Sequence, residues 1–267
     1  MIDVAITLTG VTFYVAAAIV LFKQLSIQSA NKNKYKPLVL GIIAALFHAD
    51  ILARQIITDE GLQLGITHVA SLATWFVACL LLLASLRRPI ESLGVFVLPL
   101  AALTLMAEFF FPVDHIVSTA QHKGLGVHIL LSILAYSLLG LAAVQAILTA
   151  IQERHLHNRQ PGGLIRSLPP LESMETLLIQ MITIGFALQT TSLISGAFYL
   201  ENMFAQKLAH KTILSISAWV VFAILLYGRW RYGWRGRTIV RWTATGFITL
   251  MLAYFGSKYV FEVILER

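Results

Sequence analysis

The sequence predicts an all-α polytopic membrane protein, with eight transmembrane helices in one bundle. Composition is the first observation: hydrophobic residues make up 58% and charged residues 12% of the 267. A soluble domain carries about 25% charge, so this chain cannot cover itself with a wettable surface. Second, eight apolar runs recur along it, each near the ~20 residues that cross a ~30 Å hydrocarbon core at about 1.5 Å per residue. Third, none alternates apolar with polar residues as a barrel strand does.

In order, the runs span roughly 4–22, 37–57, 66–86, 90–111, 126–150, 176–198, 212–230 and 239–263. Only Asp3, and no basic segment, stands ahead of the first, so a retained helix is expected and not a cleaved signal. The second opens at Pro37 and carries His48, Asp50 and Arg54; the third opens beside His68 and contains Cys79. His128 and His210 stand at the starts of the fifth and seventh. Pro170 with Glu172 and Glu175 reads as the start of helix six, its carboxylates capping the positive end of the dipole. The longest connection, 152–172, holds Gln160-Pro161-Gly162-Gly163 and Pro169-Pro170 and is too short for a soluble domain. Residues 1–267 therefore read as a single transmembrane domain.

Lys and Arg orient the runs. The gaps after runs one, three, five and seven hold Lys23, Lys32, Lys34, Lys36, Arg87, Arg88, Arg154, Arg159, Arg166, Arg229, Arg231, Arg235, Arg237 and Arg241, fourteen of the twenty. Cytoplasmic loops carry the excess of basic residues, so both termini are expected on the outer, periplasmic side. The net charge of +7 is then a topology signal and not a nucleic-acid surface. One cysteine, Cys79, allows no internal disulfide, CxxC pair or CxxCH haem-attachment site. Walker, GxGxxG, HExxH and GxSxG motifs are absent as well, and no catalytic constellation is found.

On this orientation His68, His115, His122, His128 and His210 gather at the outer face, and His48 lies inside the membrane. Imidazole is a common metal and haem-iron ligand, so this grouping looks like a haem-handling site. Plainer readings stand beside it. His115 and His122 fit solvated loop residues, His68 an interface anchor, and His48 a neutral histidine bonded to a neighbouring helix. Asp50 and Arg54, four residues apart, can pair on their own helix. A paired or cavity-facing charge is what the membrane interior tolerates. His128 and His210, on two long helices, have the placement of the two axial ligands of a six-coordinate haem.

The stretch Met181 to Gly256 resembles the cytochrome c assembly protein family, which includes CcsA/ResC, CcmC and HemX-like proteins. The matching residues are Gly185-Phe186, Ser195-Gly196-Ala197-Phe198, Trp219, Phe222 and Arg229. They continue in Gly233-Trp234-Arg235-Gly236-Arg237, Gly246-Phe247 and Tyr254-Phe255-Gly256. His128 with its apolar run to Tyr136, and Phe47-His48, extend the match over nearly all eight runs. Within the family the chain is most similar to the small HemX/YpjD-like branch of the bacterial inner membrane, especially in His210-Lys211-Thr212 before Trp219.

The resemblance implies haem binding, expected as haem b, by an eight-helix bundle that delivers or relays haem. His128 matches the family's first outer-face haem histidine and His48 its membrane histidine. The chain departs from the family in three places. Tyr199-Leu200-Glu201-Asn202-Met203-Phe204 lacks the tryptophans of the outer haem segment. Tyr227 replaces a second membrane histidine, and no histidine follows Gly256. His210 is the substitute outer ligand. These residues lead us to expect a haem-binding protein without synthetase activity, not an enzyme, with axial ligands His128 and His210 and lesser candidates His48 and His68. Ser192, Gly196, Gly140 and Ala143 would let helices approach around the group. His48, about eleven residues into its helix and so roughly 16 Å along it, would belong to a second site. Its family partner there is Tyr227 in this chain, and a neutral phenol is a poor ligand for ferrous iron. At most one tightly held haem is therefore expected, with His48 dispensable for it. Expected partners are the lipid bilayer, haem and another membrane protein, with no nucleic acid. The alternative is an accessory subunit that binds and regulates a transporter or haem-biosynthesis enzyme, its histidines structural. A solute transporter using Asp50 and Arg54 is disfavoured, because no paired broken helices mark two halves.

Overall fold

A computed structural model of the chain describes residues 2–26, 35–58, 61–88, 90–113, 116–117, 124–158, 168–199 and 206–256, with the backbone alone at 117, 199 and 206–210. The helices are α1 (Ile2–Ser26), α2 (Tyr35–Ile56), α3 (Ile66–Ser85), α4 (Gly94–Phe110), α5 (Leu125–His157), α6 (Leu171–Tyr199), α7 (Gln206–Tyr232) and α8 (Arg237–Met251). A 3-10 turn, Glu91–Leu93, leads into α4, and a π-helical turn, Leu252–Gly256, ends α8. Among the described residues, eight helices are long and apolar enough to cross a membrane.

Two features differ from the sequence reading. First, α5 continues to His157, so the connection predicted at 152–172 is partly helix, while α6 begins at Leu171, just after Pro170 as read from the sequence. Hydropathy marks only the membrane-crossing part of a helix, and polar turns beyond it stay helical unseen. Second, a three-stranded antiparallel sheet is present: β1 (Ile57–Thr58), β2 (Gly61–Gln63) and β3 (Ile116–Val117), paired Thr58 to Gly61 and Leu62 to Val117. Strands this short carry no periodic signal. Gly61, at φ +143°, holds a conformation that side chains disfavour.

The chain forms two compact units: Met1–Val117 with Ile151–Pro170, and Ser118–Ala150 with Leu171–Arg267. In unit one α1 packs on α2 and α4, while α3 packs on α2 and α4. Ala17, Ala44, Ala78, Ala101 and Leu105 are fully buried among them. The sheet closes the end where α2 and α4 finish and α3 starts. There Gly65 is required by close approach, because a Cβ on it would lie 1.7 Å from the Val113 carbonyl oxygen.

In unit two, side chains join α5 to α6, α6 to α7, and α8 to both α5 and α7. Gln145 Nε2 on α5 donates to the Met174 carbonyl at 3.1 Å, and Gln189 Nε2 on α6 donates to the Ser215 carbonyl at 3.2 Å. Phe186 stacks on Trp219, whose indole N–H donates to Thr190 Oγ1 at 2.8 Å. Tyr136 on α5 meets Phe247 and Phe255, each at 5.5 Å between ring centres. Lipid tails are as apolar as these side chains, so close packing and inter-helix hydrogen bonds hold such helices together.

Candidate functional site

His128 lies in the first turn of α5, half-buried. Its Nδ1 is 3.0 Å from the Ser192 carbonyl oxygen and 3.0 Å from Ser195 Oγ, both on α6. A carbonyl only accepts, so Nδ1 must carry the ring proton and donate. The Ser195 hydroxyl donates to that same carbonyl at 2.8 Å, which leaves its oxygen an acceptor toward the imidazole. The neutral ring therefore holds its lone pair on Nε2. Ser132 donates to the His128 carbonyl at 2.7 Å and meets Ser192 Oγ at 2.6 Å, tying the ring's own backbone to α6. The ring lies against Gly196, where a Cβ would come 3.0 Å from Cε1. One nitrogen is thus anchored, and no hydrogen bond is made by the other among the described residues.

His210 is in the second turn of α7; its side chain lies outside the described residues. Backbone register still places it. Residues 189 and 190 of α6 meet 215 and 219 of α7, and the helices run antiparallel, so His210 falls near the level of Ser195. His128 and His210 therefore stand at one level on the two helices that flank α6 in this unit. His115 and His122 lie outside the described residues.

The motif that carries most of the family resemblance builds a clamp. Gly233 and Gly236 take φ +65° and +55°, which reverse the chain between α7 and α8 at little steric cost. The Arg229 guanidinium donates to the Trp234 carbonyl at 2.7 Å, and Trp234 stacks on Trp242. The Trp234 ring covers Gly228 so closely that a Cβ there would lie 2.4 Å from it. Glu175 Oε1 accepts from the Gly236 N–H at 2.7 Å. Glu175 thus fastens α6 to the α7–α8 turn, a longer-range job than the predicted cap on its own helix. Tyr227 is more than half exposed among Trp230 and Tyr232, in the manner of interfacial aromatics.

Unit one treats its histidines differently. His48 is completely buried; Nδ1 meets Tyr14 Oη at 3.2 Å and Nε2 meets Ser71 Oγ at 2.8 Å. Both ring nitrogens are engaged by neighbouring helices. His68 is 3% exposed in the first turn of α3, beside Gly65, so it is a buried residue and no surface anchor. Asp50 and Arg54 pair at 3.0 Å on the half-exposed side of α2, away from His48. Among the described residues, no three or more His, Cys, Asp or Glu are grouped to hold a metal ion.

Sequence reasoning missed Glu108, 1% exposed in the last turn of α4. Neither carboxyl oxygen has a hydrogen-bond partner among the described residues, although Ser71 stands close beside it. Glu108 is an acid deep in an apolar run, and that was the available signal, since ionisable residues in spans are functional candidates by default. Tyr14 and Ser71 gave none, because hydroxyls are common in membrane helices.

The sequence pattern of the family described as Cytochrome C assembly protein matches residues 7–265. Inner membrane protein YpjD of Escherichia coli strain K12 is 33% identical over 229 residues, 85% of this chain and 87% of that protein. Protein HemX of Brevibacillus brevis is 23% identical over 147 residues, 54% of each chain. Cytochrome c biogenesis protein CcsA of Gloeobacter violaceus is 28% identical over 101 residues, 37% of this chain and 30% of that one. No solved structure matches. Eight membrane-crossing helices and the likeness to YpjD make this a multi-pass protein of the bacterial inner membrane. A match running from the first helix to beyond the last settles the family: the chain belongs to the cytochrome c assembly proteins.

Proposed function

We propose that this protein binds haem where α5 and α7 begin, with His128 and His210 as axial ligands, and handles haem during cytochrome c assembly without joining it to a protein. The observation that carries the reading is the hydrogen bond from His128 Nδ1 to the Ser192 carbonyl. Histidines that ligate metals almost always donate their other N–H to a carbonyl, carboxylate or water, which fixes the tautomer and raises the basicity of the ligating nitrogen. His128 has that arrangement. A haem brings four nitrogens of its own, so it needs only one or two imidazoles, which fits a site lacking a cluster of protein ligands. When bound, haem would supply an iron whose potential its axial ligands help to set. The chain's own part is to hold the ring at Nδ1, leave room at Gly196, and offer Nε2 from an element fastened by serines to its neighbour.

The absence of tryptophan between Tyr199 and Phe204, and of histidine between Ser257 and Arg267, supports a carrier or relay over a synthetase. The Lys and Arg bias supports a topology with both termini outside, which puts the starts of α5 and α7 at the outer face. A Ser118→Cys probe in a Cys79→Ala background should then be labelled from outside, and Gln160→Cys spared; the reverse would invert the site's compartment.

Oxidised and reduced absorption spectra of the purified protein test the haem reading. Wild type should give a low-spin bis-imidazole spectrum, His128→Ala or His210→Ala a five-coordinate or lost haem, and the double variant none. Colourless protein from haem-replete cells would refute the reading and move the case to an accessory subunit with structural histidines.

A further inference from the structure

The buried polar groups of unit one form a chain that haem binding at His128 does not use. From α4 to α1 they are Glu108, Ser71, His48 and Tyr14, with relative exposures of 1%, 0%, 0% and 0%. Tyr14 Oη to His48 Nδ1 is 3.2 Å and His48 Nε2 to Ser71 Oγ is 2.8 Å. Ser71 is the polar neighbour of the Glu108 carboxyl, but no hydrogen bond closes between them. Thr7, 2% exposed on α1, also has a hydroxyl with no partner among the described residues. Gly10 of α1 packs on Leu105 of α4, so Thr7 and Glu108, each about one turn further along, come to the same level. A carboxyl this buried, with both oxygens unmatched, is costly unless something completes it. The other ionisable groups of the surrounding helices are His68 and the half-buried Cys79 on α3, Asp3 and Lys23 on α1, and Tyr35, Lys36 and the Asp50–Arg54 pair on α2. Apart from Tyr14 and His48, those of α1 and α2 are at exposed or half-exposed positions.

We propose that Glu108 is a proton-binding site coupled through Ser71 to the His48–Tyr14 pair, so that uptake of one proton reverses the whole hydrogen-bond chain. Each member other than the carboxylate can both donate and accept, which is what a reversible chain requires. With the carboxylate ionised, Tyr14 O–H donates to His48 Nδ1, His48 Nε2–H donates to Ser71, and the Ser71 hydroxyl turns to Glu108. With the carboxyl protonated, its O–H donates to Ser71, the Ser71 hydroxyl turns to His48 Nε2, and His48 Nδ1–H donates to Tyr14. Between the two states the chain gains one proton from solvent and holds it on Glu108. The tautomer of His48 changes by relay, Nε2 giving its proton to Ser71 as Nδ1 receives one from Tyr14, with solvent restoring what the chain has passed on. The occupancy of the carboxyl is thereby read at mid-helix, three side chains away. The chain of groups is independent of the haem reading.

The test uses the full chain in lipid nanodiscs with 15N-labelled histidine. Infrared difference spectra across about pH 5 to 8 should show a titrating protonated-carboxyl band that is lost in Glu108→Gln. The His48 nitrogen signals, assigned by their loss in His48→Gln, should exchange between the two neutral tautomers with the same midpoint. Ser71→Ala should keep the carboxyl band and lose the tautomer exchange. Ser71→Ala is also the milder substitution, so the coupling stays testable where Glu108→Gln folds poorly. A His48 signal that stays in one tautomer while Glu108 titrates would overturn the coupling. A carboxyl band that does not titrate, or follows sodium concentration instead of pH, would overturn the proton site.

Discussion

His48 and His128 are both on membrane helices, yet they occupy opposite kinds of environment. His48 is sealed and has a partner on each nitrogen. His128 is half-buried, anchored by one nitrogen, and presents the other. A saturated imidazole holds helices together, whereas a half-saturated one is prepared to bind something further. The difference lies in which groups the neighbouring helix offers: Ser71 and Tyr14 close both sides of His48, and on α6 Ser192 and Ser195 gather on one side of His128. The family resemblance matched both positions to haem histidines, with His48 the lesser candidate. Bonding at the two rings separates them.

The largest expected effects cross over between the two residues. His128→Ala should abolish the low-spin haem spectrum, while His48→Ala should retain it with unchanged stoichiometry. On stability the order reverses. His48→Ala strands the Tyr14 and Ser71 hydroxyls in a dry interior, at roughly 1–3 kcal/mol for each buried group left unpaired, and it opens a cavity besides. His128→Ala breaks a half-exposed network, worth about 0.5–1.5 kcal/mol for a typical bond. Unfolding of the haem-free variants in detergent measures this, and equal losses at both sites would erase the distinction.

A smaller effect is expected at Gly196. A Cβ there would come 3.0 Å from the imidazole, so Gly196→Val must shift the ring and strain its bond to the Ser192 carbonyl. Haem affinity should fall about tenfold, equivalent to about 1.4 kcal/mol, with the fold intact. Titration of apoprotein with haem reads this directly. Undiminished affinity would show that the hydrogen bond at Nδ1 does not tune the ligand.

Much of this architecture was legible in the sequence, and the reason is physical. A membrane leaves a run of apolar residues at each crossing, so all eight helices are predicted near where they stand. The polar end of α5 was not, because its residues past 150 leave the hydrocarbon and lose the signal while remaining helical, whereas Pro170 with Glu172 marked where α6 starts. Likewise the histidines could be located but not judged. Nothing in Phe47-His48 shows that Tyr14, thirty-four positions earlier, closes its second nitrogen. Glu175 was misassigned for the same reason. Capping is a local rule, and the partner that it found, Gly236, is sixty-one residues away.

The smallest effect is expected at Asp50, and it tests whether the sealed character of His48 belongs to its helix or to its helix face. Asp50 is two residues from His48, which on a helix turns it well away from the ring. Its carboxylate is taken by Arg54 at 3.0 Å, with the two side chains 45% and 52% exposed. Exposed pairs on one helix contribute little, since each charge is already solvated and both long side chains lose freedom in pairing. Asp50→Asn should therefore leave the unfolding transition, the haem spectrum and the His48 nitrogen signals where they are in wild type. A loss of stability approaching that of His48→Ala would mean that Asp50 and Arg54 belong to the interior polar system after all. The chain from Glu108 to Tyr14 would then extend to both of them, and the two faces of α2 could no longer be treated as separate.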